Sequence, residues 1–241
     1  ERASQGHGLT TLLNTCARTE LVDEIQFLIR SVPDDGAERS QWLQRHQNVT
    51  APPLSRLVNE QLAGMLSQAA VRTEAFVTVI VPDHRLAREA KEFGRGIDGR
   101  SRALALVRAE VEAALRTGMR ITGVDWLTSP QLAAAVRTGF APGDRAGIVE
   151  ALAAAASDPA LNADVPWAMA GPSGADLVVR YYSHDAWNSI SATIKLPAKG
   201  AVIGALSPIL TPTEPGERRS LMVVFPILAQ SVADRQTQNA E

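Results

Sequence analysis

The chain has a single cysteine, Cys16, which excludes an internal disulfide and any cysteine-built zinc site. It lies in the apolar stretch "LTTLLNTCAR", residues 9–18, and reads as a buried, inert thiol. Aromatic residues are scarce, and Trp42, Trp126, Trp167 and Trp187 are dispersed, so no basic–aromatic platform for single-stranded nucleic acid forms. A dominant charge sign is missing as well: the net charge of −2 provides no broad basic field, and no direct nucleic-acid contact is expected. His7, His46, His84 and His184 stand apart, with no His-x-x-x-His pair and no metal-ligand spacing. The passage "LPAKGAVIGAL" puts Lys199 before Gly200 and has no Gly-Lys-Ser/Thr, so it fails as a phosphate-binding loop. Apolar runs such as "LAAAAS", 152–157, are far shorter than the ~18 residues of a membrane span. No signal peptide opens the chain, and Glu1-Arg2-Ala3 reads as the cut edge of something longer. Asn48-Val49-Thr50 fits the glycosylation pattern, which is short enough to arise by coincidence.

What is present is the mixture of a globular protein, 45% hydrophobic and 21% charged, and its bias toward Ala, Arg and Val over Lys is bacterial in character. After the apolar helix at 9–18, "VDEIQFLIRSVP" alternates as a strand with Ile25, Phe27 and Ile29 on one face. Pro33-Asp34-Asp35-Gly36 stops it, and Asp34 or Asp35 caps a polar helix, "GAERSQWLQRHQ". Past Pro52-Pro53 the spacing predicts an amphipathic helix with Leu54, Leu57, Leu62, Met65 and Leu66 turned inward. "TEAFVTVIVP" is a β-branched strand ended by Pro82-Asp83. "DHRLAREAKEF" and "RSRALALVRAEVEAALRT" are helical, the second capped by Asp98 or Ser101 and stopped by Gly118. A short strand, "MRITGVDWL", a helix opened by Thr128-Ser129-Pro130 and an Ala-rich helix at 144–157 follow. Further on come a hairpin about Ser183-His184-Asp185, a helix at 201–210, a strand at 218–229 and a polar tail that frays from Val232.

Between the two central helices, Gly94, Gly96 and Gly99 have the G-x-G-x-x-G spacing that can cradle a dinucleotide pyrophosphate. In that fold the first glycine follows a strand directly, so that the next helix aims its amino end at the phosphates. Here a helical stretch intervenes, and the glycines read as a helix-to-helix connection with no cofactor implied.

The order of elements contains two β-α-β units: strand 22–32, helix 54–70, strand 74–81; and strand 187–196, helix 200–210, strand 219–228. The expected class is therefore α+β, with repeated ferredoxin-like β-α-β units whose helices pack on mixed or antiparallel sheets. The expected organisation is a first α+β domain over 1–157, a mobile loop or boundary at 158–176, and a smaller β-α-β unit over 177–241.

No constellation for catalysis emerges. Ser173 in Gly171-Pro172-Ser173-Gly174 is not the G-x-S-x-G elbow, and Glu110 with Glu112 reads as a polar helix face. The enzyme alternative rests on the 94–99 loop with Asp98, or on His184 with Asp185. Arg100, Arg102, Arg108 and Arg116 are interleaved with those glutamates and read as a solvated face.

Four passages occur in a familiar order: "LIRSVPDDG"; "RTEAFVTVIV"; "GVDWLTSPQLAAAVRTGFAP"; and "YYSHDAWNSISATIKLP" closing on "RRSLMVVFPI". From about Leu9 to Val232 the chain thus resembles the soluble region of actinobacterial membrane-anchored proteins from conjugation and type IV secretion-like gene clusters. These join a membrane-anchor subunit to the amino-terminal, non-ATPase part of the traffic ATPase. One departure is Leu196-Pro197-Ala198-Lys199, where the family tends to have Trp-Pro-Arg. The resemblance implies a non-catalytic scaffold at the cytoplasmic face of the cell membrane, held by an amino-terminal anchor absent from this chain. It implies a secretion or conjugation ATPase and other membrane components as partners, and no cofactor. Trp126, Tyr181 and Trp187 are the expected partner contacts. A cytoplasmic domain of a type VII secretion membrane component is the alternative within the same class.

Overall fold

The computed structural model describes the chain except residues 1, 47, 49, 70, 196–203, 215, 229–231, 234, 236, 237 and 239–241, and the side chains of 2–5 and 66–69. In chain order the elements are α1 (Arg2–Thr19), β1 (Glu24–Pro33), α2 (Ala37–His46), α3 (Pro53–Ala69), β2 (Val71–Ile80), α4 (Asp83–Glu89) and α5 (Gly96–Gly118). Then follow α6 (Ser129–Phe140), α7 (Arg145–Ser157), β3 (Ala175–Leu177), β4 (Tyr182–His184), β5 (Trp187–Ser189), α8 (Ser207–Leu210) and β6 (Arg219–Pro226). The fold is α+β, with two three-stranded sheets of order β2-β1-β6 and β3-β4-β5.

In the first sheet, Asp23 donates its N–H to the Ile80 carbonyl, and its own carbonyl accepts from Ile227, both at 2.8 Å. The start of β1 therefore lies beside the ends of both neighbours, so the strands run antiparallel. β1 and β2 are direct antiparallel neighbours, and β5 and β6 belong to different sheets. A β-α-β unit joins parallel strands of one sheet. The connection from β1 through α3 to β2 keeps the expected order of elements without that geometry.

The chain divides into two compact units, each discontinuous in sequence. The first comprises Glu1–Arg30, Glu74–Asp125 and Ser220–Glu241, and holds α1, α4, α5 and most of the first sheet. α1 and α4 pack against α5. The core gathers Leu12 and Cys16 of α1, Val22, Ile25 of β1, Leu86 of α4, and Val107, Val111 and Leu115 of α5, all buried. Each such side chain contributes roughly 1.5–3 kcal/mol of transfer free energy. α1 crosses α5 at a backbone contact: a Cβ at Gly8 would stand 2.1 Å from the Gly118 carbonyl oxygen. Gly118 both ends α5 and leaves room for α1.

The glycine-rich stretch is the turn from α4 into α5. Gly94 and Gly96 have φ of 111° and 63°, and Arg95 between them is also left-handed, at 63°. Gly99 is buried, where a Cβ would meet the Ala90 carbonyl oxygen at 2.5 Å. These glycines serve a tight reversal and a helix–helix contact, and α5 starts at Gly96 without a side-chain cap. Asp98 and Ser101, expected as caps, lie inside the helix, because the reversal begins it earlier. The strand expected at 119–127 is irregular chain, opened by Arg120 at φ 58°.

The second unit, Ser31–Thr73 and Trp126–Arg219, holds α2, α3, α6, α7, α8 and the β3-β4-β5 meander. α2 starts as expected: Asp34 and Asp35 each accept a backbone N–H two residues on, from Gly36 and Ala37, at 3.0 Å. Arg145 of α7 pairs with both Asp35, at 2.7 Å, and Glu38, and so ties α7 to α2. At α6 the Gln131 side chain reaches back to accept the Thr128 N–H at 2.8 Å, part of a capping box. The meander pairs Ala175 with His184 and His184 with Trp187, so the expected hairpin at 183–185 gains a third strand.

α3 corrects the inward-facing expectation. Leu54, Leu57, Leu62 and Met65 are 69%, 50%, 43% and 70% exposed, and Val58 beside them is exposed too. Amphipathic spacing makes a helix but does not supply the surface to bury its stripe. Leu66, Lys199 with Gly200, the Leu196–Lys199 departure and the first residues of the helix expected at 201–210 lie outside the described residues, as does part of the tail.

Candidate functional site

A polar cluster that contains a histidine, a serine and an aspartate is built on the meander of the second unit. His184, last residue of β4, is 4% exposed, and its Nε2 lies 2.6 Å from the Ser189 hydroxyl at the end of β5. The Phe140 ring meets the imidazole edge-on at 5.5 Å, and Tyr182 covers it at 5.3 Å. Asp185 turns the chain in the left-handed region, at φ 50°, which short polar side chains tolerate better than most.

That turn aims the Asp185 carboxylate at Arg137 of α6. The guanidinium pairs with Asp185 at 3.3 Å and Asp144 at 2.6 Å, and donates to the Gly171 carbonyl at 2.8 Å. Asp185 also accepts the Ser173 N–H at 3.0 Å. The hydrogen bond that Arg137 donates to Asp144 is the foremost cause that raises the Arg137 pKa above its ordinary value. The Ser173 N–H, with Arg137 beside it, holds the Asp185 carboxyl below its usual range.

A hydroxyl 2.6 Å from an imidazole nitrogen is the spacing of a serine nucleophile and its base. The third member does not complete it. Asp185 Oδ2 stands 4.0 Å from His184 Nδ1, outside hydrogen-bond reach, and Nδ1 is buried without a hydrogen-bond partner. The carboxylate that would orient the ring is committed to Arg137 and Ser173. The arrangement works as a clasp that fastens the meander to α6 and to the chain before β3, with Trp167 adding a 2.7 Å hydrogen bond to Ser129.

The three aromatic residues expected as partner contacts all fall in the second unit. Tyr181 is exposed beside β4, Trp126 is half-buried before α6, and the half-buried Trp187 carries the Arg218 guanidinium over its ring at 4.1 Å. Sequence reasoning singled out His184 and Asp185 but missed Arg137 and Ser189. An arginine that pairs across a separation of 48 residues leaves no local spacing to detect.

More extensive than this cluster is the outward apolar surface of the same unit. Its buried apolar residues are small: Val32, Ala133, Ala141 and Ala170 among the described ones. Its large apolar residues lie outside, among them Trp42 of α2 and Leu54, Leu57, Val58, Leu62 and Met65 of α3. Trp42 stacks on His46 at 4.5 Å and is still 59% exposed. A run of large exposed apolar side chains on one helix marks an interaction surface. Among the described residues there is no group of side chains fit to hold a metal ion, and no helix long and apolar enough to cross a membrane.

In comparisons with known proteins, no family model, no curated protein and no solved structure matches this chain.

Proposed function

We propose that this chain is a non-catalytic scaffold of a bacterial conjugation or type IV secretion-like translocation system. The observation that carries the reading is the outward apolar stripe of α3 on a unit whose own buried apolar residues are almost all alanines. Such a unit gains from a partner what its interior lacks, since an interface core resembles a domain core cut in half. The system itself is inferred from the order of the four resembling passages. That inference names as partners a secretion or conjugation ATPase and other membrane components. It places the chain at the cytoplasmic face of the membrane, held by an amino-terminal anchor outside this sequence. The finer reading of the fold as ferredoxin-like repeats draws support from element order alone.

The test is affinity purification of the tagged full-length protein from host membranes, with bound proteins identified by mass spectrometry. The reading expects a secretion ATPase and channel subunits. It also expects their loss from a Leu54→Gln/Leu57→Gln/Met65→Gln variant that melts within about 5 °C of the parent, as exposed substitutions allow. Recovery of type VII components would move the scaffold to that system. Recovery of the protein alone, or unchanged partners with the variant, would overturn the reading.

A further inference from the structure

A cleft of about 390 Å3 opens in the first unit, between the end of α1, the start of α4 and the chain leaving β6. That volume is in the range of small-ligand sites. Val22, Ile227 and Leu228 give it an apolar floor. Its rim carries four ionisable side chains: Glu20, His84, Arg85 and Arg88.

The two arginines are not equivalent. Arg85 is committed, pairing with Asp23 at 2.9 Å and donating to the Val22 carbonyl at 3.2 Å. Arg88 lies on the same face of α4 as His84, four residues on, and its guanidinium makes no ion pair among the described residues. Glu20, held at φ 53° in the turn out of α1, is the one acid of the lining. With Asp23 offsetting Arg85 and Glu20 on the rim, the lining carries no surplus of positive charge to hold a phosphate dianion, and an acid can be drawn only locally, by Arg88. A guanidinium beside an apolar floor fits a carboxylate, which it can take with two parallel hydrogen bonds, attached to a hydrocarbon tail.

We propose that this cleft binds a carboxylate carried on a short apolar chain, through the free Arg88 guanidinium above the Val22–Ile227–Leu228 floor. A free aliphatic acid and the last residue of an apolar peptide C-terminus share that chemistry. The site is independent of the scaffold role, being on the other unit from α3.

The experiment is an amide NMR titration of the whole chain with hexanoate, with hexanol as its uncharged counterpart. Acetyl-Ala-Leu, with its terminus free or amidated, is the second probe pair. Hexanoate or the free-acid peptide is expected to shift amides at 17–22, 84–88 and 227–228. Hexanol and the amidated peptide are expected to bind about tenfold more weakly, the cost of a lost charged hydrogen bond. Arg88→Gln is expected to weaken the acids by a similar factor, whereas Lys91→Gln, outside the lining, leaves them unchanged. Which acid binds tells a free-acid site from a peptide C-terminus site. Equal binding of acid and uncharged counterpart, equal binding by Arg88→Gln, or no shifts up to about 10 mM of either acid would overturn the proposal.

Discussion

Gly8 lets α1 approach Gly118 of α5 more closely than a side chain at position 8 would allow, and this sets the first test at the level of single side chains. A methyl at Gly8 must displace the Gly118 carbonyl, 2.1 Å away, so Gly8→Ala should destabilise the protein by about 1–3 kcal/mol. Gly6, in the same helix with nothing within 4 Å, should instead gain up to about 1 kcal/mol on change to Ala. Denaturant titration of the two variants checks the contrast. Cys16 is fully buried, and burial foremost, with Glu110 nearby, pushes its thiol up to about 11 from 9.0. A thiol reagent at about pH 8 should therefore modify it only after unfolding. Between pH 9.0 and about 11 the unfolded chain has released a proton that the folded chain keeps. That part of the stability is thus complete below the lower value and declines above it, by up to ~1.4 kcal/mol per pH unit. Denaturation midpoints measured across this range should fall more steeply than those of Cys16→Ala. Acid acts through Glu217, whose carboxylate accepts the Thr213 N–H and pairs with Arg219, and is lowered to about 2 from 4.5. Its contribution is complete above the higher value and is lost as pH falls toward the lower.

Elements and their joints test the account through the clasp on Arg137. Arg137→Gln removes the pairs to Asp144 and Asp185 together with the hydrogen bond to Gly171, and should raise hydrogen exchange at 171–189. Amides of α5 in the other unit should keep their protection. Because Asp185 is lowered below 3.8, the clasp should hold at that pH and open as the pH drops further. Most elements were legible in the sequence, because their signals are local. Pro82 stopped β2, Thr128-Ser129-Pro130 opened α6, and Asp34-Asp35 preceded α2. "MRITGVDWL" misled, since its apolar alternation has no neighbouring strand among the described residues with which to form a ladder. The glycine loop was legible as a helix connection from its place after α4, but the part played by Gly99 was not, because Ala90 meets it only in three dimensions. Of the cluster, the sequence offered His184 and Asp185 as neighbours. It offered neither Ser189 as the hydrogen-bond partner nor Arg137 as the competitor for the carboxylate, both set by tertiary placement.

At the scale of the whole molecule, the two units divide the apolar residues unequally. The first buries leucine, isoleucine and valine among α1, α4, α5 and its sheet, whereas the second buries mainly alanine and shows its larger side chains to solvent. Helical periodicity at 54–66 told that a stripe exists; it carried no information on whether this chain or another covers it. An unfilled need for burial in one unit is the physical core of the scaffold proposal. The most direct measurement is site-specific photo-crosslinking of the full-length protein in its host, with a benzophenone side chain at Leu57 and, as control, at Glu92, an exposed position of the first unit. The account predicts an adduct at position 57 with a translocation ATPase or channel subunit, and none at position 92. Equal adducts at both positions, or none at position 57, would contradict it.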